Sequence, residues 1–270
     1  MKAIHLTLSL TMLMLVGCSG GRTAQQSEEQ EVEEEPLPER FENDDLPKAA
    51  DEVFEDFVYY FASNEHLQRR RISFPLPLET RSGGSVVEEE KWRMDSLFMS
   101  TGAYTLILDK AEQRDELNDS TLDTVIVEKV FFAEDSVEQF IFRRNEGRWM
   151  LTSIRQQLLT DNRNAQFLAF YHKFTTDSAF QQHSLSRQIE FSGPDPDDDF
   201  ARLEGFITPD SWEAFAPELP QDTIYNIVYD LRDQTTREKT LFVCGIANGM
   251  EMELTFRQRR GQWKLTRMTQ

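Results

Sequence analysis

Apolar residues recur along this chain in two periods, and each patterned stretch occurs twice. Phe54, Phe57, Val58 and Phe61 fall at i, i+3, i+4 and i+7, which gathers four side chains into one helical stripe. Phe167, Phe170, Tyr171 and Phe174 repeat that spacing 113 positions later. The second period, of two residues, closes each half. Met250, Met252, Leu254 and Phe256 alternate with Glu251, Glu253, Thr255 and Arg257, the pattern of a strand with one buried face. Phe142-Arg143-Arg144 followed by Gly147, Trp149, Leu151 and Thr152 matches Phe256-Arg257-Gln258 followed by Gly261, Trp263, Leu265 and Thr266. Both read as hairpins whose glycine supplies the positive φ of a tight loop.

The segments between follow the same order. Leu67-Gln68 answers Phe180-Gln181, Arg70 answers Arg187, and Ile72-x-Phe74 answers Ile189-x-Phe191 across a four-residue insertion that holds His183. Trp92 pairs with Trp212, the β-rich run Tyr104 to Asp109 with Tyr225 to Asp230, and Thr124 to Val127 with Thr240 to Val243. Agreement in order, spacing and residue type predicts a tandem duplication, with halves at 49–158 and 162–270. Each half reads as an amphipathic helix, a short helical segment, an extended piece, a Trp-bearing turn and four strands. That is an α+β fold, with helices on one face of an antiparallel sheet.

The first 48 residues show neither period of a fold. Lys2, the apolar run Ala3 to Val16 and small Gly17 have the layout of an export signal over 1–17, too short to span a bilayer permanently. Leu15-Val16-Gly17-Cys18 resembles the bacterial lipobox, in which the Cys18 thiol takes a diacylglyceryl group and the freed amine an acyl chain such as palmitate. The resemblance implies a lipoprotein, and Ser19 in place of Asp implies sorting to the outer membrane. Residues 18–48 form an acidic tether: ten acids lie between Glu28 and Asp45 against Arg40 alone, and Pro36, Pro38 and Pro47 stiffen it.

Charge narrows the partners. The chain of 270 residues carries 48 acids and 29 bases, a net of -19, of which -13 falls on the body after residue 48; nucleic acid is excluded as a partner. Two cysteines exclude a disulfide framework, and with Cys18 lipidated Cys244 reads as a small buried hydrophobe. No cofactor or metal motif occurs. Asp195 to Asp199 is rich in oxygen but lacks the spacing of a calcium loop, and His66 and His172 fall off the helical stripes, toward water.

The element order, in halves of about 110 residues, resembles the nuclear transport factor 2-like superfamily, a cystatin-like α+β fold whose curved sheet wraps a long N-terminal helix into a cone. The resemblance implies two tandem cone-like domains. With its lipobox, acidic spacer, Phe-x-x-Phe helix and Ile72 to Pro75 element, the chain is also similar to an uncharacterised domain-of-unknown-function family of lipoproteins from Gram-negative gut bacteria. In the second half Ser192 stands where that element has its proline.

Isomerases and dehydratases of the superfamily place an Asp or His near a Tyr at the pocket floor. The resemblance therefore offers Asp109 or Asp230 as base and Tyr104 or Tyr225 as hydrogen-bond donor. Against this, a strand-end Asp more often bonds its own turn. Arg70, Arg187, Gln68 and Gln181 are candidates to floor a pocket for an anionic or carbonyl ligand, or else to cap helices and pair with acids. The leading expectation is a non-catalytic envelope lipoprotein that binds a small ligand or a partner protein; the alternative is a small-molecule enzyme. A third reading packs the two sheets against each other in imitation of a homodimer.

Overall fold

The computed structural model describes residues 48–195, 198–229, 236–246 and 248–270. The expected export signal with Cys18, the expected acidic tether as far as Pro47, and Asp230 lie outside them. Among the described residues no helix is long and apolar enough to cross a membrane.

The predicted stripes form helices. α1 (Phe54–Ser63) buries Phe54, Phe57, Val58 and Phe61, and α2 (Glu65–Arg70) follows at once, capped where the Asn64 side chain accepts from the Leu67 amide at 3.0 Å. α3 (Ala165–Thr176) and α4 (Ser178–His183) repeat the arrangement, with Asp177 as the cap. In each half the stripe closes on one strand aromatic: Phe54, Phe57 and Phe61 surround Phe142 at 5.1–5.9 Å between ring centroids. Phe167, Phe170 and Phe174 surround Phe256 at 5.4–5.5 Å.

The strands are β1 (Leu76–Thr80), β2 (Gly83–Val87), β3 (Ala103–Leu108), β4 (Thr124–Phe131), β5 (Ser136–Asn145) and β6 (Arg148–Leu158), then β7 (Leu185–Asp195), β8 (Asp198–Ile207), β9 (Thr223–Val228), β10 (Glu238–Gly245), β11 (Glu251–Arg259) and β12 (Gln262–Thr269). The β5–β6 and β11–β12 hairpins turn through Glu146-Gly147 and Arg260-Gly261, all at positive φ, as the two-residue loop requires. Met250, expected in the last hairpin's buried face, precedes β11 and is exposed.

All twelve strands among the described residues join one sheet, in the order β2-β1-β6-β5-β4-β9-β3-β10-β11-β12-β7-β8. This corrects the picture of two separate cones and that of two sheets packed against each other. From either end the order reads the same until the centre, where the third strand of each half has crossed over. β9 pairs with β4 and β3 with β10, while β3 and β9 meet in parallel through the single pair Thr105 and Asn226. The two helix pairs cover opposite faces. Tyr104, Leu106 and Leu108 of β3 and Tyr225 and Ile227 of β9 enter the core under α1, whereas Ile107 and Ile224 enter the core under α3. The central strands are thus buried on both sides, which their near-continuous apolar runs reflect.

Strand register also corrects the alignment of the halves. Val125 lies opposite Phe142 and Lys239 opposite Phe256, so Lys239 matches Val125 and Phe242 matches Glu128. Ile126 lies opposite Val228 and Thr240 opposite Leu108, so Tyr104 matches Ile224 and Asp109 matches Tyr229, one residue from the expected match. A slip of one residue exchanges the faces of a strand. Ile72 bridges Leu151 as Leu185 pairs with Leu265, and Leu78 pairs with Ile154 as Phe191 with Met268. No insertion therefore precedes β7: the extra residues lie in the longer β7–β8 hairpin, and His183 matches Arg70 at its helix end.

Candidate functional site

The glutamines retained in both halves hold the fold. Gln68 is fully buried, its Nε2 donating to the carbonyls of Phe61 (3.0 Å) and Asp95 (2.9 Å) and its Oε1 accepting from Trp92 Nε1 (2.9 Å) and the Asp95 amide (3.0 Å). Gln181 does the same with the Phe174 carbonyl (3.1 Å) and Trp212 Nε1 (2.9 Å). Gln68 has no capacity left for a ligand, since an amide side chain offers two donors and two acceptor sites. Arg70 ends α2 and Arg187 lies in β7; both are exposed and they are not equivalent, so no paired arginine floor exists. His66 is exposed, and His172 is half-buried, stacked on Phe132 at 4.7 Å rather than turned wholly to water.

Asp109, the candidate base, is 4% exposed and fully engaged. Its Oδ1 accepts from Lys239 Nζ at 2.6 Å and Thr236 Oγ1 at 2.8 Å, while its amide donates to Gln113 Oε1 at 2.7 Å. Lys239 Nζ also donates to Asn164 Oδ1 at 2.8 Å. The Asp109 carboxylate is thus engaged with a buried ammonium that ties the end of β3 to β10. Tyr225 is buried in the core under α1, with Lys129 Nζ 5.6 Å from its ring centre.

A second polar centre, absent from the sequence reading, lies at the strand crossing. Glu128 of β4 is 1% exposed. Its Oε1 accepts from Gln139 Nε2 (2.9 Å) and Asn162 Nδ2 (2.7 Å), and its Oε2 from Asn226 Nδ2 (3.0 Å). Asn226 Oδ1 in turn accepts the Ile107 amide at 3.0 Å, and Thr105 Oγ1 donates to the Tyr225 carbonyl at 3.0 Å. Side chains thereby stitch the β3–β9 contact where the backbone ladder is thinnest. The adjacent charges Glu128 and Lys129 inside the otherwise apolar run Val125 to Phe131 were its only sequence signal.

Among the described residues, buried donors without a partner are Arg144 Nε and Trp149 Nε1, and Tyr229 Oη and Arg114 Nη1 in or beside the core under α1. Tyr104 Oη donates to Glu55 Oε1, and Cys244 lies directly opposite Tyr104 on β10. Tyr229, just after β9, is buried with its Oη making no hydrogen bond. Arg114 lies over the Phe242 ring at 4.8 Å and pairs through Nη2 with Glu251, which leaves its buried Nη1 without a partner. Burial, with Cys244 and Glu55 adding to it, keeps the Tyr104 hydroxyl protonated far above the ordinary tyrosine range; burial and then Glu55 do the same for Tyr229. Burial also pushes the Cys244 thiol up from 9.0 to about 11, against the pull of Arg114. The cluster can therefore donate hydrogen bonds, and it offers no ready thiolate. Among the described residues no group of His, Cys, Asp and Glu is placed to hold a metal ion.

The raised thiol carries a stability consequence. Between pH 9.0 and about 11 the unfolded chain loses the Cys244 proton while the folded chain keeps it. The folded state then binds more protons, so stability is full below pH 9 and falls as pH rises through this window, by roughly 2 kcal/mol from this group. Melting followed from pH 8 to 11 should show this fall, reduced in Cys244→Ala. Thiolate absorbance appearing in the native protein near pH 9 would contradict it.

Comparison with known proteins agrees with this architecture. The chain is similar to an NTF2-like protein from Bacteroides fragilis of known crystal structure, at 37% identity and a TM-score of 0.75, over 83% of this chain and 98% of that one. An NTF2-like protein of unknown function from Silicibacter pomeroyi matches at 15% identity over 39% of this chain and 88% of that one, with a TM-score of 0.25. No curated protein matches the chain. The mixed α+β body with its large sheet is NTF2-like. A family model described as Domain of unknown function (DUF4348) matches residues 24–270, and the chain belongs to that family.

Proposed function

We propose that this protein is an exported lipoprotein, anchored in the outer membrane through acylated Cys18, whose body is a duplicated NTF2-like module that binds a small ligand without transforming it. The acidic stretch to residue 48 holds the body off the membrane. The ligand presents a carbonyl or carboxylate oxygen to the Tyr229 hydroxyl and Arg114 Nη1 in the core under α1. The observation that carries the ligand reading is that Tyr229 Oη and Arg114 Nη1 are two of the four buried side-chain donors without an acceptor among the described residues, because an unmade bond at a buried polar group costs about 1–3 kcal/mol and calls for an occupant. Of the two bases that the isomerase or dehydratase reading offered, Asp109 is held by Lys239 and Asp230 lies outside the described residues.

The test is Tyr229→Phe. With the ligand absent, removal of an idle buried hydroxyl should leave stability unchanged or raise it by about 1 kcal/mol. The same variant should lose the thermal shift that wild type shows with octanoate. Equal shifts in both proteins, or none in wild type, would count against the site. The anchor is tested separately by labelling with an alkyne fatty acid, which Cys18→Ala should abolish.

A further inference from the structure

The two halves differ at one place in a way that opens a second site. In the first half Arg71 follows α2, and its carbonyl accepts the Leu151 amide at 2.8 Å; in the second, Ser184 follows α4 and its carbonyl accepts the Leu265 amide at 2.8 Å. Ser184 therefore stands where Arg71 stands. Arg71 sends both terminal nitrogens to Asp51 at 2.8 Å, bonds the Trp149 carbonyl at 3.2 Å and lies over the Phe57 ring at 5.6 Å. Arg144 covers the neighbouring Trp149 ring at 4.7 Å. The corresponding residues in the second half are Ser184, Asn164 and Gln258, so both covering cations and their acid are gone. The rings remain as Phe170 and Trp263, with centroids 6.4 Å apart, and Leu67 has become Phe180. Ser184 Oγ turns back to the Phe180 carbonyl at 2.8 Å and fills none of the vacated space.

A cavity of about 540 Å³ occupies that space, walled by Phe170, Phe180 and Trp263 and rimmed by Gln258, His183 and Lys264 among others. Its volume falls in the range of small-molecule sites. No acid lines it, although the body around it carries a net of -13. Lys264 Nζ sits at the rim, bonded to the His183 carbonyl, and Lys173 Nζ lies 4.5 Å from the centre of the Phe180 ring. A cationic guest would meet the Lys264 ammonium at the rim, whereas a flat ring fits between aromatic walls and an anionic edge fits the rim. We infer that the second half binds a planar aromatic carboxylate in the volume that the Arg71 side chain fills in the first half. This site is separate from the core under α1 and does not depend on that proposal.

The experiment measures 2-naphthoate binding by equilibrium dialysis to the full chain carrying Cys18→Ala. Saturable binding at this site is expected, at least tenfold tighter than that of 2-naphthylmethylammonium. Ser184→Arg, which refills the cavity from the backbone position of Arg71, should weaken 2-naphthoate at least tenfold. Phe180→Leu, which restores the first half's residue and removes one wall, should weaken it severalfold and serves if the arginine variant fails to fold. Tyr229→Phe should leave it unchanged. The inference is overturned if wild type does not bind at millimolar probe, if the ammonium compound binds as well, if a folded Ser184→Arg or Phe180→Leu protein binds like wild type, or if Tyr229→Phe abolishes binding.

Discussion

Glu128→Ala should be the most damaging single substitution at the strand crossing, lowering the unfolding free energy by about 5 kcal/mol. It strands the amide donors of Gln139, Asn162 and Asn226 in a site closed to water, each costing about 1–3 kcal/mol, and adds a cavity. Glu128→Gln separates shape from chemistry. The Asn226 amide cannot turn over, because its oxygen already accepts the Ile107 amide, and the Asn162 oxygen likewise accepts the Asn164 amide at 2.7 Å. A glutamine must therefore set its own NH2 against a donor. It should cost about 2 kcal/mol despite its near-identical volume. Urea unfolding followed by tryptophan fluorescence measures both; a Glu128→Gln protein as stable as wild type would show that the amide orientations are not fixed as described.

What the sequence conveyed and what it concealed divide along a physical line. Helix stripes, hairpin glycines and the Trp-bearing turns are local: a period of 3.6 or 2 and a positive φ are set by near neighbours, and the residues from Phe54 to Phe61 or from Gly261 to Leu265 carry them openly. Which strand lies beside β3 is not local. Its alternation is satisfied as well by β4 as by β10, so the exchange of third strands leaves no mark in either strand's own pattern. Register was hidden for the same reason, since Tyr104 and Tyr225 look equivalent until pairing places them one residue apart and on different faces relative to their own helices.

The polar centres were concealed by the repeat itself. Residues common to both halves report the shared module, and Gln68 with Gln181 proved to be its latches. Residues at the junction must differ between halves, because each half presents a different partner to the other. Glu128 matches Phe242, Asn226 matches Leu106, Asp109 matches Tyr229 and Lys239 matches Val125: in every pair one half is polar where the other has an aromatic or aliphatic side chain. The vacated arginine position obeys the same rule in reverse. Departures from the repeat, rather than its fidelity, mark the places that hold the halves together or leave room for a guest.

The pair Asp109 and Lys239 gives the second large effect, because it joins the end of β3 to the start of β10 across the exchanged strands. Asp109→Leu leaves a buried ammonium whose remaining side-chain acceptor is Asn164 Oδ1, and should cost about 3–5 kcal/mol. Lys239→Met should cost nearly as much by leaving the carboxylate with Thr236 alone among its side-chain donors. The double variant Asp109→Leu with Lys239→Met should recover most of the loss, since a well-packed apolar pair often matches a buried ion pair once neither charge is stranded. A double variant as unstable as the sum of the singles would mean that the two residues act independently and the 2.6 Å contact contributes little.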